Sequence, residues 1–386
     1  PQIGQRIQVP FGNKKRLGFI HDISSSSKVS KSKLKPFLEI IDEAPIVDSE
    51  TRELIKWCSN YYHYPIGSVY STAVPKYLRD LKYPNNIEHK AFMGVAEERK
   101  ILTKAQKKAL KESEKYLKNN NVLLLNGITG SGKTEIYMRL IEKELELGRQ
   151  ALFLVPEIGL TPQTANVLTA RFGDLVNIIH SGTSPKTRAA VWVAAQKGLA
   201  QLVVGTRSAV FTPFSSLGII VVDEEHDQSY KQQNGLMYSA RDLAVVKAKK
   251  LNAKLILGSA TPSFESFFNV KNKKYNTVEI NKRVFSTPLP ENKIIDLRLH
   301  PITKGLTKPL IKDITKQLDK NKQVLIYLNR RGYAPLTMCE DCGHIEDCPR
   351  CDTSLVLHKK INLLKCHHCA YQKTQPPLCS ECGSNN

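Results

Sequence analysis

The sequence predicts an α/β protein built on a parallel sheet with helices on both faces, preceded by a small β-rich region and followed by a cysteine-rich module. Three observations predict it. Six short apolar runs alternate with helical patterns between residues 122 and 257, the texture of strand-helix-strand units. Short alternating stretches broken by the Gly12-Asn13 turn fill the first 80 residues. Eight of the nine cysteines crowd between Cys339 and Cys382, all in C-x-x-C pairs.

The 386 residues exceed one ordinary core and imply two to four domains. Residues 1–82 read as a β-rich domain, with strands at 6–9 and 17–20 and a helix over 49–62. Residues 83–100 are polar and irregular, a linker. Residues 101–300 form the α/β domain, with strands at 122–125, 151–155, 176–179, 202–204, 219–222 and 255–257. Residues 301–337, with a helix near 308–318 and a strand at 324–328, open a second α/β domain. Residues 338–386 are the cysteine module.

Lys and Arg number 57 against 36 Asp and Glu, a net charge of +21 and a pI near 9.5, so a polyanionic partner is expected. No apolar run approaches the roughly 18 residues of a spanning helix, and no leading segment reads as a secretory signal, so a cytoplasmic location is expected. A large chain without such a signal favours metal ligation over disulfides for the paired cysteines. Cys58, among Trp57, Tyr61 and Tyr62, reads as a small core residue.

Gly127-Ile128-Thr129-Gly130-Ser131-Gly132-Lys133-Thr134 matches the phosphate-loop pattern and stands between a strand and a helix, as its mechanism requires. Its glycines let backbone N–H groups curl around phosphate oxygens, Lys133 neutralises the β and γ phosphates, and Thr134 offers a hydroxyl to Mg²⁺. Asp223-Glu224-Glu225-His226 follows the apolar strand at 219–222: Asp223 would hold Mg²⁺ and Glu224 would polarise the attacking water. Alone, such a tetrad is more often a solvated loop; the phosphate loop reverses that reading. Gly258-Ser259-Ala260-Thr261-Pro262 ends another strand, where Ser259 and Thr261 can sense the γ phosphate. Gln106, ahead of the first strand, is placed to read adenine.

Pro156-Glu157-Ile158-Gly159-Leu160-Thr161-Pro162-Gln163, Gly205-Thr206-Arg207-Ser208-Ala209, the tetrad at 223–226, Asp227-Gln228-Ser229-Tyr230-Lys231-Gln232-Gln233 with Tyr238 and Arg241-Asp242 beyond, and Asn329-Arg330-Arg331-Gly332 together resemble the PriA family of superfamily 2 replication-restart helicases. The likeness runs from about Gly4 to Gly383. It implies a RecA-like P-loop helicase domain, a β-rich domain for DNA 3′ ends, a partial second RecA-like lobe and a double zinc-binding insertion. It also implies ATP- and Mg²⁺-dependent 3′ to 5′ unwinding of forked and single-stranded DNA, with primosome proteins and single-strand-binding protein as partners and a nucleoid-associated location. Thr206, Arg207 and Ser208 can hold a phosphate backbone, and Tyr230 and Tyr238 offer stacking faces in what the family uses as a coupling loop. Buried tyrosines are the commoner case. Two departures stand out: the stretch between Arg79 and Leu102 is too short for the winged helix many members carry, and the family's later motifs, including its arginine finger, do not occur. A double-stranded DNA translocase and a zinc-dependent DNA-binding scaffold that only binds ATP are the competing readings.

The eight cysteines form four knuckles, Cys339/Cys342, Cys348/Cys351, Cys366/Cys369 and Cys379/Cys382, separated by 5, 14 and 9 residues. Two tetrahedral Zn²⁺ ions would need two knuckles each. The 14-residue gap suits a ribbon hairpin carrying Leu355, Val356, Leu357, Leu363 and Leu364, whose closure brings the outer knuckles together. Nested pairing follows, with Cys339, Cys342, Cys379 and Cys382 on one ion and Cys348, Cys351, Cys366 and Cys369 on the other, and the resemblance implies the same. Sequential pairing is not forbidden by the short gaps.

Overall fold

The computed structural model describes residues 1–80, 99–119, 122–157, 162–285, 290–300, 302–303, 305–327, 337–349, 354–358, 362–366 and 371–385. It divides into two units, 1–288 and 289–386. The expected linker falls mostly outside the described residues, as do Asn329-Arg330-Arg331-Gly332, Cys351 and Cys369.

In the first unit, β1 (Arg6–Phe11) and β2 (Lys14–Phe19) form the expected hairpin, and β3 (Glu39–Ile40) pairs with β1 on its other edge. Helices α1 (Ser49–Tyr61), α2 (Ile66–Ala73) and α3 (Lys76–Arg79) follow. Asp48 caps α1 by accepting a hydrogen bond from the Thr51 amide at 2.7 Å. Arg6, only 2% exposed, is clamped by Asp42 at 2.6 Å and donates to the Leu78 carbonyl, which ties the hairpin to α3.

After α4 (Lys104–Asn119) comes the α/β fold: β4 (Val122–Gly127), α5 (Lys133–Glu146), β5 (Gln150–Leu154), α6 (Pro162–Phe172), β6 (Val176–Ile179), α7 (Pro185–Gln196), β7 (Leu202–Gly205), β8 (Leu217–Val222), α8 (Ala240–Leu251), β9 (Lys254–Ser259), α9 (Phe264–Lys271) and β10 (Asn276–Ile280). The seven strands are all parallel in the order β10-β4-β9-β8-β5-β7-β6. The sequence showed six of them. It missed β10, an edge strand that pairs only with β4 and whose Asn-Thr-Val-Glu-Ile lacks a continuous apolar run.

Successive strand residues point to opposite faces, and the sheet thereby carries two cores. Leu123, Leu125, Phe153, Val204 and Val221 pack on one face with Ile136 and Ile141 of α5. Leu124, Leu152, Val203, Ile220 and Leu257 pack on the other, where the core continues through Leu243 of α8 into Leu54, Ile55, Val69 and Leu78 of α1 to α3. The amino-terminal helices thus share one apolar interior with the sheet.

Lys247 of α8 is buried and donates to the carbonyls of Val210, at 3.0 Å, and Thr212. Burial lowers its pKa to about 7, against about 10.4 for an exposed lysine. Between those values the folded chain binds fewer protons than the unfolded one, so stability should rise with pH across that window. Denaturant midpoints at pH 7 and pH 9 measure the rise; Lys247→Met should flatten it.

In the second unit β11 (Ile302–Thr303) and β12 (Leu306–Thr307) form a short hairpin before α10 (Lys308–Leu318). The strand expected at 324–328 is corrected: residues 324–327 form no strand, and Leu325 and Tyr327 are 93% and 81% exposed. An apolar run becomes a strand only by pairing, and none of the described strands pairs with it. The cysteine module contains an antiparallel sheet of β13 (Val356–His358), β14 (Leu363–Lys365) and β15 (Gln372–Thr374), closed over Leu355 and Leu364, as the ribbon spacing predicted. Among the described residues no helix is long and apolar enough to cross a membrane.

Candidate active site and metal centre

β4 ends at Gly127 and α5 opens at Lys133, so the intervening loop sits at the carboxyl end of the sheet. Gly130 (φ 80°) and Gly132 (φ 78°) lie in the left-handed region that favours glycine. A Cβ on Gly132 would also stand 2.2 Å from the Gln106 amide nitrogen. Thr129 is exposed at the loop tip and Thr134 half-buried behind it. Lys133 Nζ donates to the Gly127 carbonyl at 2.9 Å and lies 3.7 Å from the Glu224 carboxylate.

Gln106 is buried against this loop. Its Oε1 accepts from the Thr103 amide at 2.9 Å, its backbone N–H donates to Thr103 Oγ1 at 3.2 Å, and its Nε2 donates to the Ser131 carbonyl at 3.2 Å. One side chain therefore caps α4 and braces the loop. Val284 donates its N–H to the Gly130 carbonyl at 2.9 Å, a second brace that no sequence motif marks.

Asp223 follows β8, two strands across from the loop in the sheet order, with β9 between. Its pKa is raised by burial and by Glu224, against the opposing effects of Lys133 and of Tyr137. Tyr137, fully buried on α5, donates its hydroxyl to Asp223 Oδ1 at 3.2 Å. The room for that hydroxyl exists because residue 258 is glycine: a Cβ there would lie 1.6 Å from the Tyr137 oxygen. Gly258→Ala should therefore dislodge the tyrosine and cost at least about 1–3 kcal/mol of stability, read as a lower denaturant midpoint than in Tyr137→Phe, which keeps the ring.

Glu224 adopts φ 45°, turning the chain after Asp223. Glu225 turns inward, accepting from Ser263 N at 2.7 Å, from Ser266 Oγ at 2.9 Å and from Arg241 at 3.2 Å. His226 Nδ1 lies 2.7 Å from Ser259 Oγ, and its Nε2 lies 3.4 Å from Thr261 Oγ1. The acidic tetrad and the Ser-Ala-Thr segment, 33 residues apart, thus touch directly. Sequence reading singled out both segments but not their contact, nor Tyr137, Glu225 or Arg241 as supports. Adjacent strand ends create these contacts.

Thr206 is buried, Arg207 donates to the Ser229 carbonyl at 3.0 Å, and Ser208 meets Arg188 Nη2 at 2.7 Å. The stacking role expected of Tyr230 and Tyr238 is corrected: each is only 1% exposed, so neither offers a ring face to a base. An aromatic ring next to apolar core is more stable buried, and the Tyr230 hydroxyl is satisfied there by the carbonyls of Asp223 at 2.6 Å and Leu154 at 3.0 Å.

In the second unit Cys339, Cys342, Cys379 and Cys382 place their sulfurs within 4.8 Å of one another. Cys339 to Cys382 is 3.6 Å and Cys342 to Cys379 is 3.7 Å, matching the roughly 3.8 Å between thiolates at 2.3 Å from a tetrahedral zinc. Gly343 (φ 75°) and Gly383 (φ 71°) close the two knuckles, each donating back to the first cysteine carbonyl of its pair. The outer knuckles converge, as nested pairing requires. Cys348 and Cys366 are buried at the base of the ribbon.

Comparison with known proteins follows the same division. Residues 1–75 match the PriA 3′ DNA-binding domain, 103–270 the DEAD/DEAH box helicase domain, and 348–373 the PriA DNA helicase Cys-rich region. The replication restart protein PriA of Haemophilus influenzae is 38% identical over 460 residues, covering 100% of this chain and 63% of that protein. That of Rickettsia prowazekii is 38% identical over 388 residues, 98% of this chain and 58% of the relative. That of Bacillus subtilis is 39% identical over 291 residues, 74% of this chain and 36% of the relative. The chain thus spans less than two thirds of the length of these relatives.

Proposed function

Because this chain belongs to the PriA replication restart family, we propose that it couples ATP hydrolysis to 3′ to 5′ movement on DNA and so unwinds stalled forks for primosome loading. The observation that carries this reading is the convergence of three separate segments, with Lys133 3.7 Å from Glu224 and His226 2.7 Å from Ser259. Gly127 to Thr134 would bind the phosphates and Asp223 the Mg²⁺ ion, which together supply the transferable phosphoryl group and its charge neutralisation. Glu224 would then orient water and take its proton, while His226, Ser259 and Thr261 carry the change at the phosphate to the neighbouring segments. Gln106 would hold both the loop and the adenine edge. Arg207 and Ser208 would face the DNA backbone, while buried Thr206, whose carbonyl accepts from the Ala209 amide, would hold the segment in place. Two zinc ions would be structural, since four thiolates leave no open position for water, and the module would meet DNA or protein partners. Primosome proteins and single-strand-binding protein are the proposed partners, in the cytoplasm at the nucleoid.

In the full-length protein, single-stranded DNA should stimulate ATP turnover by an order of magnitude or more, and tailed duplexes should be unwound only when the loading tail gives 3′ to 5′ movement. Turnover indifferent to DNA would mean that the site hydrolyses without driving a motor, and unwinding of the opposite polarity would reverse the proposed direction.

A further inference from the structure

A cavity of about 240 Å³ lies between α2–α3 and α7, where the amino-terminal region meets the α/β domain. Lys76 and Arg79 line it from one side and Arg188 and Ser208 from the other. No carboxylate lines it, and none of these three cations makes an ion pair with a described carboxylate. The two guanidinium groups donate to neutral oxygens: Arg79 Nε to the Val74 carbonyl at 3.1 Å and Arg188 to Ser208 Oγ at 2.7 Å. In a protein with 36 acidic residues to draw on, three cations gathered without a counter-charge repel one another unless an anion joins them. The wall holds a further uncommitted donor, the indole N–H of Trp192, a residue only 3% exposed, which has no acceptor.

Position selects the anion. The cavity lies between residues matched by a 3′ DNA-binding domain and residues matched by a helicase domain, and Ser71 and Arg79 also line a neighbouring cavity of about 710 Å³ that reaches Lys15 and Arg16 of the hairpin. The two cavities meet at Ser71 and Arg79, and the larger one carries Lys15, Arg16 and Arg79 against a single carboxylate, Asp80. We propose that Lys76, Arg79 and Arg188 form a phosphodiester-binding cleft that carries a DNA strand from the amino-terminal domain onto the helicase domain. The cleft rests on the DNA-binding reading and adds to it a site built jointly by the two domains. Arg188 also positions Ser208, so the strand would enter the helicase domain on a side chain already held from α7.

The test is the salt dependence of single-stranded DNA affinity in the full-length protein. Each lost phosphate contact lowers the slope of log affinity against log salt by about 0.7 on single strands. Lys76→Gln with Arg79→Gln should therefore lower it by about 1.4 and weaken binding roughly tenfold in moderate salt. Arg79→Lys, which keeps the charge, should retain most of the slope. Lys107→Gln with Lys111→Gln, the same charge loss on the exposed face of α4, should change it little. A cleft variant that folds with an unchanged melting temperature and keeps the parent slope overturns the proposal while DNA binding stands; equal losses from the α4 pair would reduce the effect to net charge and overturn it too. A flat salt dependence in the unmodified protein would remove the DNA-binding reading itself. If the cleft variant keeps its DNA slope but loses binding to a poly-glutamate peptide, the site is a peptide site and not a strand path.

Discussion

Lys133→Ala in the full-length protein is expected to lower ATP turnover by at least about a hundredfold, the usual consequence of removing one preorganised donor from a transition state of developing negative charge. The ammonium sits between the Gly127 carbonyl and Glu224, at 2.9 and 3.7 Å. Nothing in that setting points toward DNA, so single-stranded DNA affinity should stay within a few-fold of the parent. The fold should persist because the loop keeps its braces from Gln106 and Val284. Turnover within a few-fold of the parent would rule out the assigned site, whereas equal loss of turnover and DNA affinity would point to unfolding, which a melting curve would reveal.

Cys339→Ser with Cys382→Ser is expected to release one equivalent of zinc out of two. Four thiolates within 4.8 Å hold that site together, and a structural zinc is worth about 10–16 kcal/mol of apparent binding free energy near neutral pH, so losing half of the ligands should empty it. The second ion should remain on the inner ribbon, whose hairpin β13–β14 carries its own apolar contacts at Leu355 and Leu364. Metal analysis after dialysis reads the result directly. Loss of both ions would overturn the nested assignment, because in sequential pairing each of the two sites would lose one thiolate; retention of both would mean that neither ion depends on Cys339 or Cys382.

Much of this protein was legible in the linear order of residues because the determinants are local. A phosphate loop needs glycines at fixed spacing to reach positive φ, and the pattern at 127–134 shows them. Strands buried on both faces need continuous apolar runs, and 219–222 or 151–154 have no other use for them. The spacing of the cysteine knuckles limited zinc pairing to a few arrangements, and chain closure at the ribbon favoured the one whose outer half the structure assembles.

What the sequence could not decide were the relations that depend on which elements become neighbours. β10 escaped notice because an edge strand needs no continuous apolar pattern. Tyr230 and Tyr238 read as stacking platforms because a ring in sequence has no inside or outside; only the packing of the segment after β8 puts them in the core. Tyr137 and Gly258 lie 121 residues apart and mean nothing separately, yet parallel neighbours β4 and β9 bring the end of one beside the helix that follows the other, where a missing Cβ makes space for a hydroxyl on Asp223. The sequence by itself determined which chemistry this chain carries, since backbone conformation and ligand type are properties of single residues and short spacings. Only the tertiary structure decided which groups support that chemistry and where cations gather without partners, because contacts between distant segments are set by strand order and by the shared core.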